Sequence, residues 1–223
     1  MDGEGSIQVN HWRKQSLQFR LIIKLSNIVS NYNMLMNIAK VIGGTVRTTG
    51  KKKDVIWVVN DKKVIENIIK IFDVYPLLTS RKICQLTYLK TCLKEKSVEN
   101  YLSTRNLKFN EQSIIINSHV HFIIPFYFSI WLSGFIEAEG CFCIRKNNNH
   151  SFSIGQKDDL YLLETIQKYF NASNKVRNAC GNFYSLEIYK KEVLSRIIYH
   201  CTIYPLIGEK LESFTKFKKE IFK

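Results

Sequence analysis

Two glutamates, Glu4 and Glu139, each stand directly before a glycine. The second closes the stretch Leu132-Ser133-Gly134-Phe135-Ile136-Glu137-Ala138-Glu139-Gly140, and a shortened copy of it, Asp2-Gly3-Glu4-Gly5, opens the chain. Each copy runs into an alternating segment, Ser6-Ile7-Gln8-Val9-Asn10 in the first and Cys141-Phe142-Cys143-Ile144-Arg145 in the second. Two equivalent carboxylates in equivalent settings are what a shared metal site on a pseudo-two-fold axis requires. Side by side, two carboxylates repel unless a cation lies between them, and hard oxygen ligands favour Mg²⁺. Such a site activates water and stabilises a leaving oxygen, the needs of phosphodiester hydrolysis.

The copies extend beyond the acids. A shift of 129 residues aligns Asn27 with Gln156, and Val64, Ile65, Ile68 and Ile69 with Val193, Leu194, Ile197 and Ile198. It also aligns Tyr75-Pro76-Leu77-Leu78 with Tyr204-Pro205-Leu206-Ile207, and Arg81 with Lys210. At the acids the shift is 135, a six-residue difference that a hairpin turn of another length absorbs. A repeated supersecondary unit follows. Gly134 and Ala138 stand four apart with Ser133 alongside, so the motif helix offers small residues for close helix packing.

The 223 residues suffice for two halves, each with its own core. Lys and Arg outnumber Asp and Glu by 33 to 19, with 19 against 9 in residues 1–113 and 14 against 10 in 114–223. That excess favours a polyanion, because each basic contact to a phosphate releases a counterion. A basic surface also suits an anionic membrane, but the longest apolar run, Phe122 to Leu132, is too short to span one and contains Pro125. The six cysteines have no paired CxxC spacing, which speaks for reduced thiols and against a zinc site. His119-Val120-His121 lacks companion ligands and reads as a linker pair. The many Ile, Asn, Lys, Phe and Tyr residues are those of AT-rich codons, as in an organellar genome.

Periodicity predicts strand–strand–helix–strand–strand–helix–helix in each half, with an added motif helix before the second. In the first half, strands over Ile7–Trp12 and Phe19–Ser26 precede a helix over 31–42 that Gly43-Gly44 closes. Strands 45–49 and 55–59 follow, then a helix over 62–72 capped by Asp61, then one from Thr79 to about Leu93. The second half gives strands near 141–146 and 151–156, a helix over 158–170, strands near 174–179 and 183–189, and helices 191–203 and 208–222. Residues 1–96 form the first repeat, 97–127 a linker and 128–223 the second repeat. The fold class is α/β (α+β), each repeat a four-stranded antiparallel sheet packed with helices. The outward sheet residues are rich in Gln, Asn, Ser, Arg and Lys, which suit base edges in a major groove and equally an ordinary solvated face.

The stretch LSGFIEAEG resembles the motif of the LAGLIDADG homing endonucleases, in their single-chain form with two motifs, at every position by identity or close replacement. The similarity covers nearly the whole chain, and Tyr-Pro-Leu followed by a basic residue is also family-like. The resemblance implies two antiparallel sheets forming a DNA-binding saddle, Mg²⁺-dependent double-strand cleavage of a long target, a monomer, and expression from an intron in the mitochondrion or another organelle. By motif position it makes Glu4 and Glu139 the metal-binding acids, assisted by the carbonyls of Gly3 and Ala138. It places Gln156 and Asn27 where the family keeps a polar water-positioning residue. Arg81 and Lys210 take the basic position near the cut. For Asn27 a strand-end cap, and for Arg81 and Lys210 solvated helix charges, stand beside these roles. The DNA face implied is Gln8, Asn10, Trp12 and Lys14, with Arg20 and Lys24, in repeat one. In repeat two it is Cys143, Arg145 and Asn147, with Ser151 and Ser153. A one-residue slip would reverse either face.

One departure is that the chain opens inside the first motif, without the Leu-Ala-Gly-like helix expected before Asp2. The alternative carried by the same basic saddle is an RNA-binding maturase that assists splicing of its own intron, with cleavage lost. Intact acids at Glu4 and Glu139 favour the enzyme, and the missing helix favours the binder. A DNA-binding regulator needs an appended helix-turn-helix domain, for which the sequence leaves no room.

Overall fold

Alternating apolar and polar residues shape the first strands, β1 (Gly5–Trp12) and β2 (Ser16–Ser26), paired antiparallel across a turn that holds Arg13 and Lys14 at positive φ. The computed structural model describes residues 1–119, 122–146 and 149–223. It contains two units, Met1–Ile115 and Ile116–Lys223, described here in turn.

In the first unit α1 (Val29–Ile42) ends at Gly43, whose φ of 84° and amide bond to the Ala39 carbonyl close the helix. The strands β3 (Thr45–Thr49) and β4 (Asp54–Val59) complete a sheet in the order β1-β2-β4-β3, every neighbour antiparallel. Next come α2 (Lys62–Val74) and α3 (Ser80–Glu95), with Pro76 in the turn between them. One sheet face is apolar. Ile7, Leu21, Val55, Trp57 and Val59 pack on Leu35 of α1, Ile65 and Ile68 of α2, and Leu86 and Leu89 of α3. Trp57 also donates from its indole nitrogen to the Gly43 carbonyl at 2.8 Å, which fixes the end of α1 against the sheet.

The segment read as a linker carries two short helices, α4 (Val98–Thr104) and α5 (Gln112–Ser118). Ser97 caps α4 by accepting from the Asn100 amide at 3.1 Å, and Tyr101 is buried with its hydroxyl on the Val9 carbonyl of β1 at 3.1 Å. Gln112 donates to Ser80 Oγ at 3.0 Å. The segment is too short for periodicity to mark these helices, and tertiary contacts made far along the chain hold them.

In the second unit the motif helix α6 (Phe128–Glu139) leads into β5 (Gly140–Cys143) and β6 (Ser151–Lys157). Then follow α7 (Leu160–Tyr169), β7 (Arg177–Cys180), β8 (Phe183–Ile188), α8 (Lys191–Ile203) and α9 (Lys210–Ile221). The sheet order is β5-β6-β8-β7, antiparallel throughout, so the topology of the first sheet is repeated strand for strand. Phe142, Phe152, Ile154, Leu186 and Ile188 are buried on its apolar face, and Phe142 lies 5.5 and 5.4 Å from the rings of Phe214 and Phe217 in α9.

The expected elements are present, most with ends moved by one to three residues, and the shifts in the second unit have visible causes at three places. The helix expected from Asp158 starts at Leu160, because Asp158 has a φ of 69° and bonds through its amide to the Asn182 carbonyl. The strand expected to reach 146 stops at Cys143. Beyond it the Arg145 amide donates to Nδ1 of buried His150, which turns the chain out of the ladder. The strand expected near 174–179 is Arg177–Cys180, with a bulge between Asn178 and Cys180. His121 and Asn147 lie outside the described residues. No helix among the described residues is long and apolar enough to cross a membrane.

Asp61 caps α2 as its sequence position predicts, accepting from the Val64 amide at 2.9 Å. Asp61→Ala is expected to lower stability by about 1 kcal/mol. In urea unfolding the midpoint falls while the slope stays the same.

Candidate active site and nucleic-acid interface

At both acid positions the backbone turns from the motif into the first strand of a sheet. Gly140 donates its amide to the Ile136 carbonyl, and a Cβ added there would meet that oxygen at 2.6 Å. Gly5 repeats the arrangement, with its amide 3.1 Å from the Met1 carbonyl and a Cβ 2.5 Å from it. Glycine is therefore required by close approach in both copies, and each fixes the residue before it at the mouth of the strand. Glu4 is exposed there, with no hydrogen-bond or ion-pair partner among the described residues, and Glu139 is half-buried.

A second acid in each copy, two residues earlier, has a different task. Buried Asp2 accepts at Oδ1 from the Leu78 amide (3.1 Å), the Thr79 amide (2.8 Å) and the Thr79 hydroxyl (2.7 Å). Glu137 accepts from the Ile207, Gly208 and Lys210 amides at 3.1, 3.0 and 2.9 Å. Under the 129-residue shift Leu78 is Ile207 and Thr79 is Gly208, so the two carboxylates bind the same backbone. Each holds the Tyr-Pro turn and the start of the last helix of its repeat, where unpaired amides and the helix dipole favour an anion. Alternation and charge do not single these residues out; their signal in the sequence is an acid two places before Glu4 and again before Glu139, each paired with a repeated Tyr-Pro turn.

The motif helix α6 is anchored from its other side by a buried polar chain. Ser129 Oγ lies 3.0 Å from the Tyr169 hydroxyl, which is 3.2 Å from His200 Nδ1, and His200 Nε2 is 3.2 Å from Ser133 Oγ. Ser133 donates to the Tyr204 carbonyl at 2.7 Å. That last bond uses the Ser133 proton, so Ser133 accepts from Nε2–H, and Nδ1 in turn accepts from Tyr169. The chain has one direction and fixes the imidazole as a neutral tautomer. Burial agrees, lowering the His200 pKa to about 4. Within its own unit Gly134, one residue further on, faces open space, with no atom within 4 Å of an added Cβ.

The outward faces of the two sheets follow from the register. Gln8 pairs with Arg20, Asn10 with Gln18 and Trp12 with Ser16, so Gln8, Asn10, Trp12 and Arg20 share the polar face of the first sheet. Lys24 is on that face and pairs with Asp54 at 2.8 Å, an exposed contact of about 0–1 kcal/mol that a phosphate can displace. Lys14 lies in the hairpin turn beyond the ladder, at a φ of 59°. In the second sheet Cys141 pairs with Ser153 and Cys143 with Ser151, which puts these four on the face opposite the Phe142 core. Glu187 joins them, bonding the Arg145 guanidinium at 3.1 Å and the Ser151 hydroxyl at 3.4 Å. Ser151 is buried beneath this contact.

The remaining expected residues are each engaged differently. Asn27 donates from its side chain to the Lys52 carbonyl at 2.8 Å, tying a strand end to the β3–β4 turn. Gln156 donates to buried Asp159 at 3.3 Å. The Arg81 guanidinium lies 4.4 Å from the centre of the Phe109 ring. Lys210 is brought by its own amide to Glu137, two residues before Glu139, while its ammonium has no side-chain partner among the described residues. No group of three or more His, Cys, Asp or Glu gathers among the described residues. Carboxylate and backbone carbonyl oxygens are the donors at each motif, a hard set that fits Mg²⁺.

Two four-stranded sheets, each entered through a glycine turn that presents an acid, define the two-repeat meganuclease fold. The LAGLIDADG meganuclease I-AabMI bound to uncleaved DNA superposes with a TM-score of 0.74 at 22% identity, covering 98% of this chain and 86% of that one. The LAGLIDADG homing endonuclease I-GzeII in complex with its DNA target gives 0.75 at 20%, with the same coverage. A probable intron-encoded endonuclease aI3 of Debaryomyces hansenii is 51% identical over 98% of this chain, which spans 36% of that protein. The aI3 protein of Dictyostelium citrinum is 48% identical over 98% of this chain and 90% of its own length. The LAGLIDADG endonuclease profile matches residues 1–92 and 132–221, and the chain belongs to this family.

Replacing Glu137 by Ala leaves three backbone amides without their charged acceptor. Stability is expected to fall by about 2–3 kcal/mol in chemical denaturation, with Glu137→Gln recovering part of it. His200 gives a pH dependence. Its folded pKa lies below the unfolded value of 6.5, so the unfolded chain binds the extra proton as pH falls through 6.5. Stability should drop by up to about 3 kcal/mol between pH 6.5 and 4 and level off below, and His200→Gln should flatten that part of the curve.

Proposed function

We propose that this chain is an intron-encoded, site-specific endonuclease that makes a divalent-metal-dependent double-strand break in a long DNA target. The observation that carries this reading is the pair of motif turns, each ending in an acid at the entrance to a sheet whose outward face is polar and basic. Glu4 and Glu139 would hold Mg²⁺ with the carbonyls of Gly3 and Ala138. Bound there, the metal supplies a Lewis acid that lowers the pKa of water and neutralises charge on a leaving oxygen.

The chain's own residues do the rest. Gln8, Asn10, Trp12 and Arg20 of the first sheet and Ser153 of the second offer donors, acceptors and an aromatic edge to bases in the major groove. Lys14, Lys24 and Arg145 neutralise phosphates, the last two after releasing Asp54 and Glu187. Arg145 is placed by the turn after β5, and Ser151 acts beneath it by orienting Glu187; Asn147 is assigned to DNA contact by its sequence position alone. Lys210 stands by the second motif as a cation for the scissile phosphate. Arg81 serves the first motif once it leaves Phe109. Gln156 and Asn27 orient water near the two acids, Gln156 through its free carbonyl oxygen. The protein acts as a monomer, since both motifs lie in one chain, and it is expressed in mitochondria or another organelle, as befits relatives named for introns. No relative favours RNA splicing over cleavage.

Glu139→Gln removes charge at the metal site and almost no bulk. It is expected to abolish cleavage of the intronless host-gene junction in Mg²⁺ while duplex binding in EDTA stays at the wild-type level or tightens. Loss of cleavage and binding together would assign Glu139 a structural role and overturn the reading.

A further inference from the structure

Strand β1 lies at the edge of its sheet, and its residues with odd numbers turn their backbone groups away from β2, as the Tyr101 bond to the Val9 carbonyl shows. The Gly5 carbonyl is taken by Lys82 and the Val9 carbonyl by Tyr101. Ile7 lies between them, and there the edge opens into a polar cavity of about 220 Å³. Its wall is completed by Gln85 and Tyr88 of α3 and by Tyr101, Arg105 and Lys108 of the connecting segment.

Three features of this cavity call for a ligand. The Gln85 Oε1 atom is buried with no hydrogen-bond partner among the described residues, a state that costs stability. The Arg105 guanidinium has no partner among the described residues, and Lys108 reaches only the face of Phe109, at 5.0 Å. Gln8 and Asn10 line both the cavity and the outward sheet face, so a strand crossing that face passes the opening. Turning the Gln85 amide by half a rotation points Nε2–H at the place its oxygen now occupies. The site then offers two cations, a neutral amide donor and the Ile7 amide, the donor set of an anion site.

We infer that the cavity between β1, α3 and the connecting segment seats one backbone phosphate of the DNA, held by Arg105 and Lys108 and oriented by Gln85. This rests on the endonuclease reading for its partner, and on the cavity alone for its chemistry. The segment that reads as a linker is then part of the nucleic-acid interface. It contributes affinity without base readout, since phosphate contacts position a duplex and carry no sequence information directly.

The test has two arms. In the first, unfolding of the intact chain is followed with inorganic phosphate against chloride at equal ionic strength. Wild type should melt higher in phosphate, and Arg105→Gln, Lys108→Gln and Gln85→Leu should each lose most of that increment. In the second, duplex affinity is measured against salt. Arg105→Gln and Lys108→Gln should each lower the log–log slope by about 1 and weaken target and unrelated duplexes equally, while Lys63→Gln on α2 changes neither. A duplex with single methylphosphonate substitutions should lose affinity at one position for wild type and lose none there for Arg105→Gln. Phosphate binding with no duplex binding would keep the cavity and sink the DNA reading. Duplex binding with unchanged slopes and no phosphate increment would sink the cavity and keep that reading. Loss confined to intron RNA would overturn the assigned partner, and Gln85→Leu that only stabilises would reduce Gln85 to packing.

Discussion

A carboxylate bound to the amides of a helix start, made once in each repeat, is the contact on which the rest depends. Asp2 ties the first motif to the turn before α3, and Glu137 ties the second to the turn before α9. The glutamate that precedes the strand, Glu4 or Glu139, follows two residues later in each case. Its position is therefore set by a charge-assisted bond to a rigid helix rather than by the flexible reach of a side chain. The glycine one residue further on completes the constraint, because no side chain fits between it and the preceding turn. In each repeat one of two nearby acids is thus tied to the scaffold while the other stands at the entrance to the sheet.

Repetition made most of this legible from residues alone. The sheets, their order of helices and the outward set of Gln8, Asn10, Trp12 and Arg20 followed from alternation and from the 129-residue register, since a buried face tolerates no slip. Where periodicity misplaces an element end, a contact outside the regular ladders has captured a backbone group. His150 takes the Arg145 amide and ends β5, the Asp158 amide bonds to the Asn182 carbonyl outside the helical region, and Tyr101 docks on the Val9 carbonyl to order a connecting segment with no pattern of its own. Such contacts follow no repeat spacing and leave no period behind. The division of labour between Asp2 and Glu4 was hidden for a related reason, because both are acids in the same motif and only their partners tell them apart.

The two repeats share topology while differing in how each outward face is held. On the first sheet Arg20 and Gln8 stand side by side and exposed Lys24 rests on half-buried Asp54. On the second, Glu187 draws Arg145 and Ser151 together, with two thiols beside them. Glu187 thereby holds its arginine in one pose on that face. The second half is also the less positive one, with the smaller basic excess in residues 114–223.

The polar chain from Ser129 through Tyr169, His200 and Ser133 to the Tyr204 carbonyl runs in one direction, each member donating to the next. A directional chain couples its members as variables. Reversing donor and acceptor at one position leaves its neighbours facing proton to proton or lone pair to lone pair. Single replacements inside it should therefore be costly where double or triple replacements are tolerated. The interior of this repeat can drift only in concerted steps, and the motif helix carries that history with it.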